Sequence, residues 1–211
     1  MHRDDSTLPE ALDEALLRAG FAQGDEATQL IRSNLRASSA RHRVLALRGG
    51  ARHSLLTNDD WLSALQDNDL DVRREALTLI AYEKISSSDI FNQIIEALDD
   101  PDPLVVDGAA FALGEQLYVA AVDPLCLVAQ SHDDARCREA AVAALGAIGD
   151  DRGRAAVLGA LEDKPPVRRR AIVALSNFEG PDIEAALARA SEDRDWQVRA
   201  AVNQLAREND D

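Results

Sequence analysis

Apolar residues in this chain fall at spacings of three and four over most of its length, and the spacing recurs in blocks. Between His132 and Lys164, Cys137, Ala141, Ala144, Leu145 and Ile148 form one stripe, and Ala156, Val157, Ala160 and Leu161 form a second. Such stripes mark helices buried along one face. Asp133 and Asp134 stand where a short carboxylate accepts the free N–H groups of a first helical turn. Gly149 sits where the first helix needs a left-handed terminator, and Asp150 begins the next. Neither helix can bury its stripe alone, so the pair is expected to stack on copies of itself.

Copies are present. The sequence Cys137-Arg138, followed by Ala141 and Ala144-Leu145, returns as Val72-Arg73 with Ala76 and Leu79-Ile80, and as Val105-Val106 with Ala109 and Ala112-Leu113. It appears again as Val167-Arg168 with Ala171 and Ala174-Leu175, and with more drift as Val198-Arg199 with Val202 and Leu205-Ala206. A weaker copy is His42-Arg43 with Ala46 and Gly49-Gly50. The lead residues 42, 72, 105, 137, 167 and 198 differ by 30, 33, 32, 30 and 31. A period in this range is the signature of a solenoid. Acidic residues precede most copies: Asp67 and Asp69, Asp100 and Asp102, Glu162 and Asp163, Asp193 and Asp195.

The pattern D-x-D-x-x-V-R-x-x-A-x-x-A-L resembles the HEAT-like repeats first associated with phycobilisome bilin lyases, over residues 26–207. That resemblance implies an all-α fold, a right-handed α-α superhelix of about six helical hairpins. It speaks to fold more than to chemistry, because one repeat type serves many roles.

Residues 1–24 lie outside the repeat and are expected to form a capping helix and turn, with Thr7-Leu8-Pro9-Glu10 as a capping box. This helix is expected to cover the first open apolar face; a detachable partner-binding peptide is the alternative. Residues 25–211 then form one continuous repeat domain. Helices are expected to open at Asp25, after Ser38 or Ser39, and at Thr57. The Val72 helix is expected to run to about Glu83, and another over Ile90–Leu98. Pro101, Pro103, Pro165 and Pro166 are placed in first helical turns, where no N–H is needed, and Pro181 at another start. Pro124 leaves two possibilities: its helix begins near Ala121, or begins earlier and kinks. Leu117-Tyr118-Val119 replaces the Gly-Asp turn of the repeat, which predicts a local irregularity. The final residues, Glu208-Asn209-Asp210-Asp211, are expected to fray.

Composition narrows the partners. Hydrophobic residues make up 46 % of the chain and aromatics 4 %, so the core is built from Ala, Leu, Val and Ile. A net charge of −15 opposes binding to a phosphate backbone or an anionic membrane surface. It favours solubility and basic partners, and halophilic adaptation is another source of such charge. Arg43, Arg48, Arg52, Arg73 and Arg74 concentrate positive charge in the N-terminal half without offsetting the overall acidity, so nucleic acid is disfavoured. No apolar run approaches a membrane span, and Met1-His2-Arg3-Asp4-Asp5 does not open a signal peptide, which points to a cytoplasmic protein.

Catalytic and metal motifs are absent. None of His2, His42, His53 and His132 belongs to a His-x-x-x-His pair, and none is followed by glutamate. The second absence sets aside the HEAT-repeat hydroxylase, which holds iron with His-Glu pairs. Cys126 and Cys137 lack the second pair a structural zinc site needs; packed, reduced thiols are expected, with a disulfide or redox pair as the alternative. Asp99-Asp100, Asp133-Asp134 and Asp150-Asp151 all fall at helix caps. No catalytic residue, metal or cofactor is expected.

Binding residues follow from the repeat. Positions two and six after each lead residue point away from the buried stripe: Val44 and Arg48, Arg74 and Thr78, Asp107 and Phe111, Glu139 and Ala143, Arg169 and Val173. In stacked hairpins of this kind the second helices line a concave surface. Phe111 and Tyr82 either pack between repeats or anchor a partner, with Arg74, Asp107 and Glu115 around them. Arg73, Arg138, Arg168 and Arg199 are expected to bridge to the caps of neighbouring repeats, and Val106 breaks their row. The expected function is a non-enzymatic scaffold or adaptor that holds a protein partner on the concave face. The alternative, implied by the resemblance alone, is a bilin lyase-like enzyme or accessory subunit, although no residue maps to chromophore handling.

Overall fold

Ser39, Thr57, Asp69, Asp102 and Asp134 each end an extended segment and start a helix, and this device sets the rhythm of the chain. The computed structural model describes the backbone of residues 7–208 and the side chains of residues 11–207. Among the described residues there are thirteen α-helices and no strand. They are α1 (Thr7–Ala19), α2 (Asp25–Asn34), α3 (Ala40–Arg52), α4 (Asn58–Leu65), α5 (Leu70–Ile80), α6 (Ser88–Glu96), α7 (Pro103–Glu115), α8 (Val122–Ser131), α9 (Ala135–Ile148), α10 (Arg154–Gly159), α11 (Pro165–Leu175), α12 (Pro181–Ala190) and α13 (Trp196–Glu208). The helices after α1 run as six successive pairs, and the repeat read from the sequence corresponds to the second helix of each pair.

Local chemistry explains the boundaries. Thr57 and Asp60 form a reciprocal capping box, the Asp60 carboxylate accepting from the Thr57 N–H at 3.0 Å. Asp134 accepts from the Arg136 N–H at 2.9 Å, and Gly149, at φ 67°, closes the same helix in the left-handed conformation. Pro103 and Pro165 occupy first helical positions. Pro124 is the third residue of α8, which begins at Val122 after a single 3-10 turn over Val119–Ala121, so no kink is required. Leu117 takes a positive φ of 49° in the predicted irregular turn.

Several boundaries differ from expectation: the helix expected over Ile90–Leu98 spans Ser88–Glu96 and passes into a 3-10 turn over Ala97–Asp99. The Val72 helix ends at Ile80, because the N–H groups of Tyr82 and Glu83 already bond three residues back instead of four. Pro101 lies ahead of α7 rather than in its first turn; the Asp100 carboxylate accepts from the Asp102 N–H at 2.8 Å and holds Pro101 at the centre of that turn. The expected capping box at Thr7 and Glu10 lies outside the described side chains; of the residues 208–211 expected to fray, Glu208 ends α13 and the rest lie outside the described residues.

The described residues up to Gln93 and those from Ile94 onward form two compact units, divided within α6. In the first, α1 packs on α2 and α3, where Leu16 is buried with Leu45 and Ala46 among Leu12, Leu30 and Leu35. In the second, α7, α9, α11 and α13 pack in succession. Small residues set their separation. A methyl group on Gly146 would lie 2.6 Å from the Ala174 Cα, and one on Gly114 would lie 2.9 Å from the Ala144 Cα. Both glycines therefore mark places where helix backbones touch.

Candidate functional site

The second unit contains a groove between α7 and α9. Positions two, six and ten after the lead residue of α7 are Asp107, Phe111 and Glu115; on α9 they are Glu139, Ala143 and Ala147. These side chains, with Arg136, Ala140 and Arg170 of α11, line a cavity of about 530 Å³. Its volume comes from what is missing on α9, where methyl groups face an aromatic ring. Phe111 is 40 % exposed and forms a wall of this cavity.

Charge is distributed unevenly along the groove. Arg136 pairs with Asp134 at 2.8 Å, and its side-chain hydrogen bond, with the Arg136 N–H, holds the Asp134 carboxyl down to about 2. Arg170 lies 3.5 Å from Glu139. The Glu115 carboxylate, also exposed, makes no ion pair or hydrogen bond among the described residues. Of the expected binding residues, Asp107, Phe111 and Glu115 come together here. Arg74 and Tyr82 belong to the other unit, where Arg74 lies 3.5 Å from Asp71 and Tyr82, just past α5, is 74 % exposed. The repeat frame places Ala143 on this face without marking it as a binding residue, and Ala147 and Arg170 were not singled out by the sequence. An alanine carries no group that signals a contact, and the reach of Arg170 from a third helix has no local signature.

Within each unit, forked ion pairs join successive helix pairs. Arg138 donates through Nε and Nη2 to both Asp163 oxygens at 2.6 and 2.7 Å, and through Nη1 to the carbonyls of His132 and Asp133. Arg168 does the same to Asp193 at 2.9 and 2.8 Å and to the Asp163 carbonyl. At 4 % exposure, it is the buried charged residue among those described. In the first unit Arg43 forks onto Asp67 at 2.7 Å twice and caps the Ala37 and Ser38 carbonyls. Arg73 and Arg199 donate to the carbonyls of Asp67 and Asp193. Each arginine thus ties the start of its own helix, and Arg43, Arg138 and Arg168 also reach the start of the next second helix. The forked hydrogen bonds hold Asp163 and Asp193 below the ordinary carboxylate range.

The row breaks at both partners together. Where Val106 replaces arginine, His132 stands in the position of the receiving aspartate. Its Nδ1 accepts from the Asp134 N–H at 3.0 Å, as Asp67 does from Asp69 and Asp193 from Asp195. The capping role survives without the charge.

Both cysteines are free. Cys137 is buried, its thiol donates to the Pro103 carbonyl at 3.3 Å, and burial pushes it up to about 11; burial also raises Cys126. Among the described residues no group of three His, Cys, Asp or Glu side chains is placed to hold a metal ion, and no helix is long and apolar enough to cross a membrane.

Comparison with known proteins places these features in context. A family model described as HEAT repeats matches three overlapping stretches, residues 58–146, 97–176 and 122–206. A comparison with proteins of curated function finds no match. Among solved structures, the chain is similar to YibA of Escherichia coli at 16 % identity and a TM-score of 0.61, over 96 % of this chain and 75 % of that one. It is similar to the CpcE–CpcF complex of phycocyanin lyase from Nostoc sp. PCC7120 at 21 % identity and 0.62, over 86 % and 75 %. A designed armadillo repeat protein in complex with peptide (KR)4 matches at 16 % identity and 0.56, over 97 % and 94 %. Likeness at these identities is a likeness of fold.

Proposed function

The chain belongs to the HEAT-repeat family, and from that premise we propose that it is a non-enzymatic interaction module whose partner protein docks on the face formed by α7, α9 and α11. The observation that carries this reading is the groove itself: an aromatic wall, a floor of methyl groups and a rim of carboxylates and guanidiniums. A large rigid side chain beside an unfilled space supplies apolar contact at small entropic cost, and surrounding charges select the partner more than they add affinity. At the level of fold, a designed armadillo repeat protein held with a peptide is a related use of stacked helical repeats.

Two opposite changes test the proposal. Phe111→Ala removes the wall, and Ala143→Trp fills the space. Tagged wild-type chain and both variants are used for affinity capture from the native source, followed by mass spectrometry, with circular dichroism and thermal melting as controls. A protein retained by wild type and lost by both folded variants is expected. Equal retention by Ala143→Trp would move the docking surface elsewhere.

A further inference from the structure

The two ends of the groove are not equivalent. Toward the start of the helices, Asp107 and Glu139 share the lining with Arg136 and Arg170, so acidic and basic groups are balanced. Toward their ends, Glu115 stands one turn beyond Phe111, and α9 offers only the Ala147 methyl opposite it. Glu115 has no ion pair among the described residues to give up when a cation arrives.

The spacing of these groups is close to that of an extended chain. Side chains four apart on a helix surface lie roughly 5–6 Å from each other at Cβ. Residues two apart on one side of an extended chain are separated by about 6.6 Å. We propose that the occupant is an extended segment of a partner protein in which a large apolar residue packs against Phe111 and Ala143. A lysine or arginine two positions away meets Glu115. This rests on the groove being the docking site and specifies the chemistry of what docks. The net charge of −15 acts in the same direction at long range, steering cationic segments and opposing a second copy of this chain.

Selection of random twelve-residue peptides displayed on phage tests it, with full-length wild type, Phe111→Ala, Ala143→Trp and Glu115→Arg as baits. Wild type is expected to enrich a large apolar residue followed or preceded at two positions by lysine or arginine. Glu115→Arg is expected to enrich aspartate or glutamate at that same position. A synthetic peptide of the enriched pattern should bind Glu115→Gln about tenfold more weakly than wild type, the loss shrinking at high salt. Peptides that depend on Phe111 but carry no cation at that position would overturn the inference and leave the docking site intact. A spacing of three or four instead of two would replace the extended segment with a helix and overturn it as well. Enrichment unaffected by Phe111→Ala and Ala143→Trp would overturn the docking site itself, and no enrichment would rule out a short extended segment as sufficient.

Discussion

Arg138 and Cys137 are adjacent in sequence and differ entirely in what they contribute. Arg138 satisfies two carboxylate oxygens and two carbonyls at the junction of successive helix pairs, with both charged partners mostly withdrawn from water. Removing the guanidinium leaves Asp163 desolvated without its partner, which exceeds the median for surface pairs. Arg138→Ala is expected to destabilise the protein by about 2 kcal/mol, read from the urea midpoint, whereas the exposed Arg194→Ala should be close to neutral. Equal midpoints for the two variants would remove the bridging role. Cys137 contributes volume in a position where other copies carry valine, so Cys137→Val is expected to stay within about 1 kcal/mol of wild type. With its thiol raised to about 11 and its side chain buried, native Cys137 should resist iodoacetamide at pH 7.5 and react only on unfolding, as peptide mapping would reveal.

At the scale of elements, the repeat is a set of contacts between helix starts and helix ends, and each invites its own perturbation. A methyl group at Gly146 meets backbone of α11, which cannot swing aside, so Gly146→Ala should lower the urea midpoint by the equivalent of about 1–3 kcal/mol. Gly159, at the exposed end of α10, has open space around it, and Gly159→Ala should raise stability by up to about 1 kcal/mol. The break in the arginine row offers a two-residue test. Val106→Arg alone buries an unpaired charge and is expected to destabilise by about 3 kcal/mol; adding His132→Asp should recover much of that loss. Additive losses would show that the two positions do not form the missing rung. These elements also mark how far the sequence could be read. The lead residues, the caps at Ser39, Thr57 and Asp134, and the row Asp107, Phe111 and Glu115 were visible because each follows from a period or from a local hydrogen bond. Arg43 as a rung was hidden by the Gly49-Gly50 ending that weakens its copy, and His132 as a substitute cap was hidden by its difference in residue type. The cavity depends on a mismatch in size between neighbouring helices. No single helix carries that information.

At the scale of the whole molecule, two electrostatic effects oppose each other, and pH and salt separate them. A net charge of −15 repels itself in the compact state, so added sodium chloride at pH 7 should raise the melting temperature while screening the forked pairs much less. Acid acts through the carboxylates that the fold holds ionised. Asp163 and Asp193 titrate below their ordinary range because Arg138 and Arg168 hydrogen-bond to them. Unfolded aspartate takes up its proton near about 3.9. At neutral pH both states are ionised and the pairs contribute in full. As pH falls below about 4, the unfolded chain binds protons that the folded one does not, and stability drops until the lower folded values are passed. The melting temperature of wild type should therefore fall steeply on the acid side of about pH 4. In Arg138→Ala/Arg168→Ala the melting temperature should start lower at pH 7 and fall less steeply over the same interval, because the folded carboxylates no longer titrate apart from the unfolded ones. Parallel acid limbs in the two proteins would assign acid unfolding to other groups, such as Asp134, which Arg136 holds down to about 2. Steepening in the double variant would mean that the arginines are not what keeps Asp163 and Asp193 ionised in the folded state, and the row would lose its place as the electrostatic tie between successive repeats.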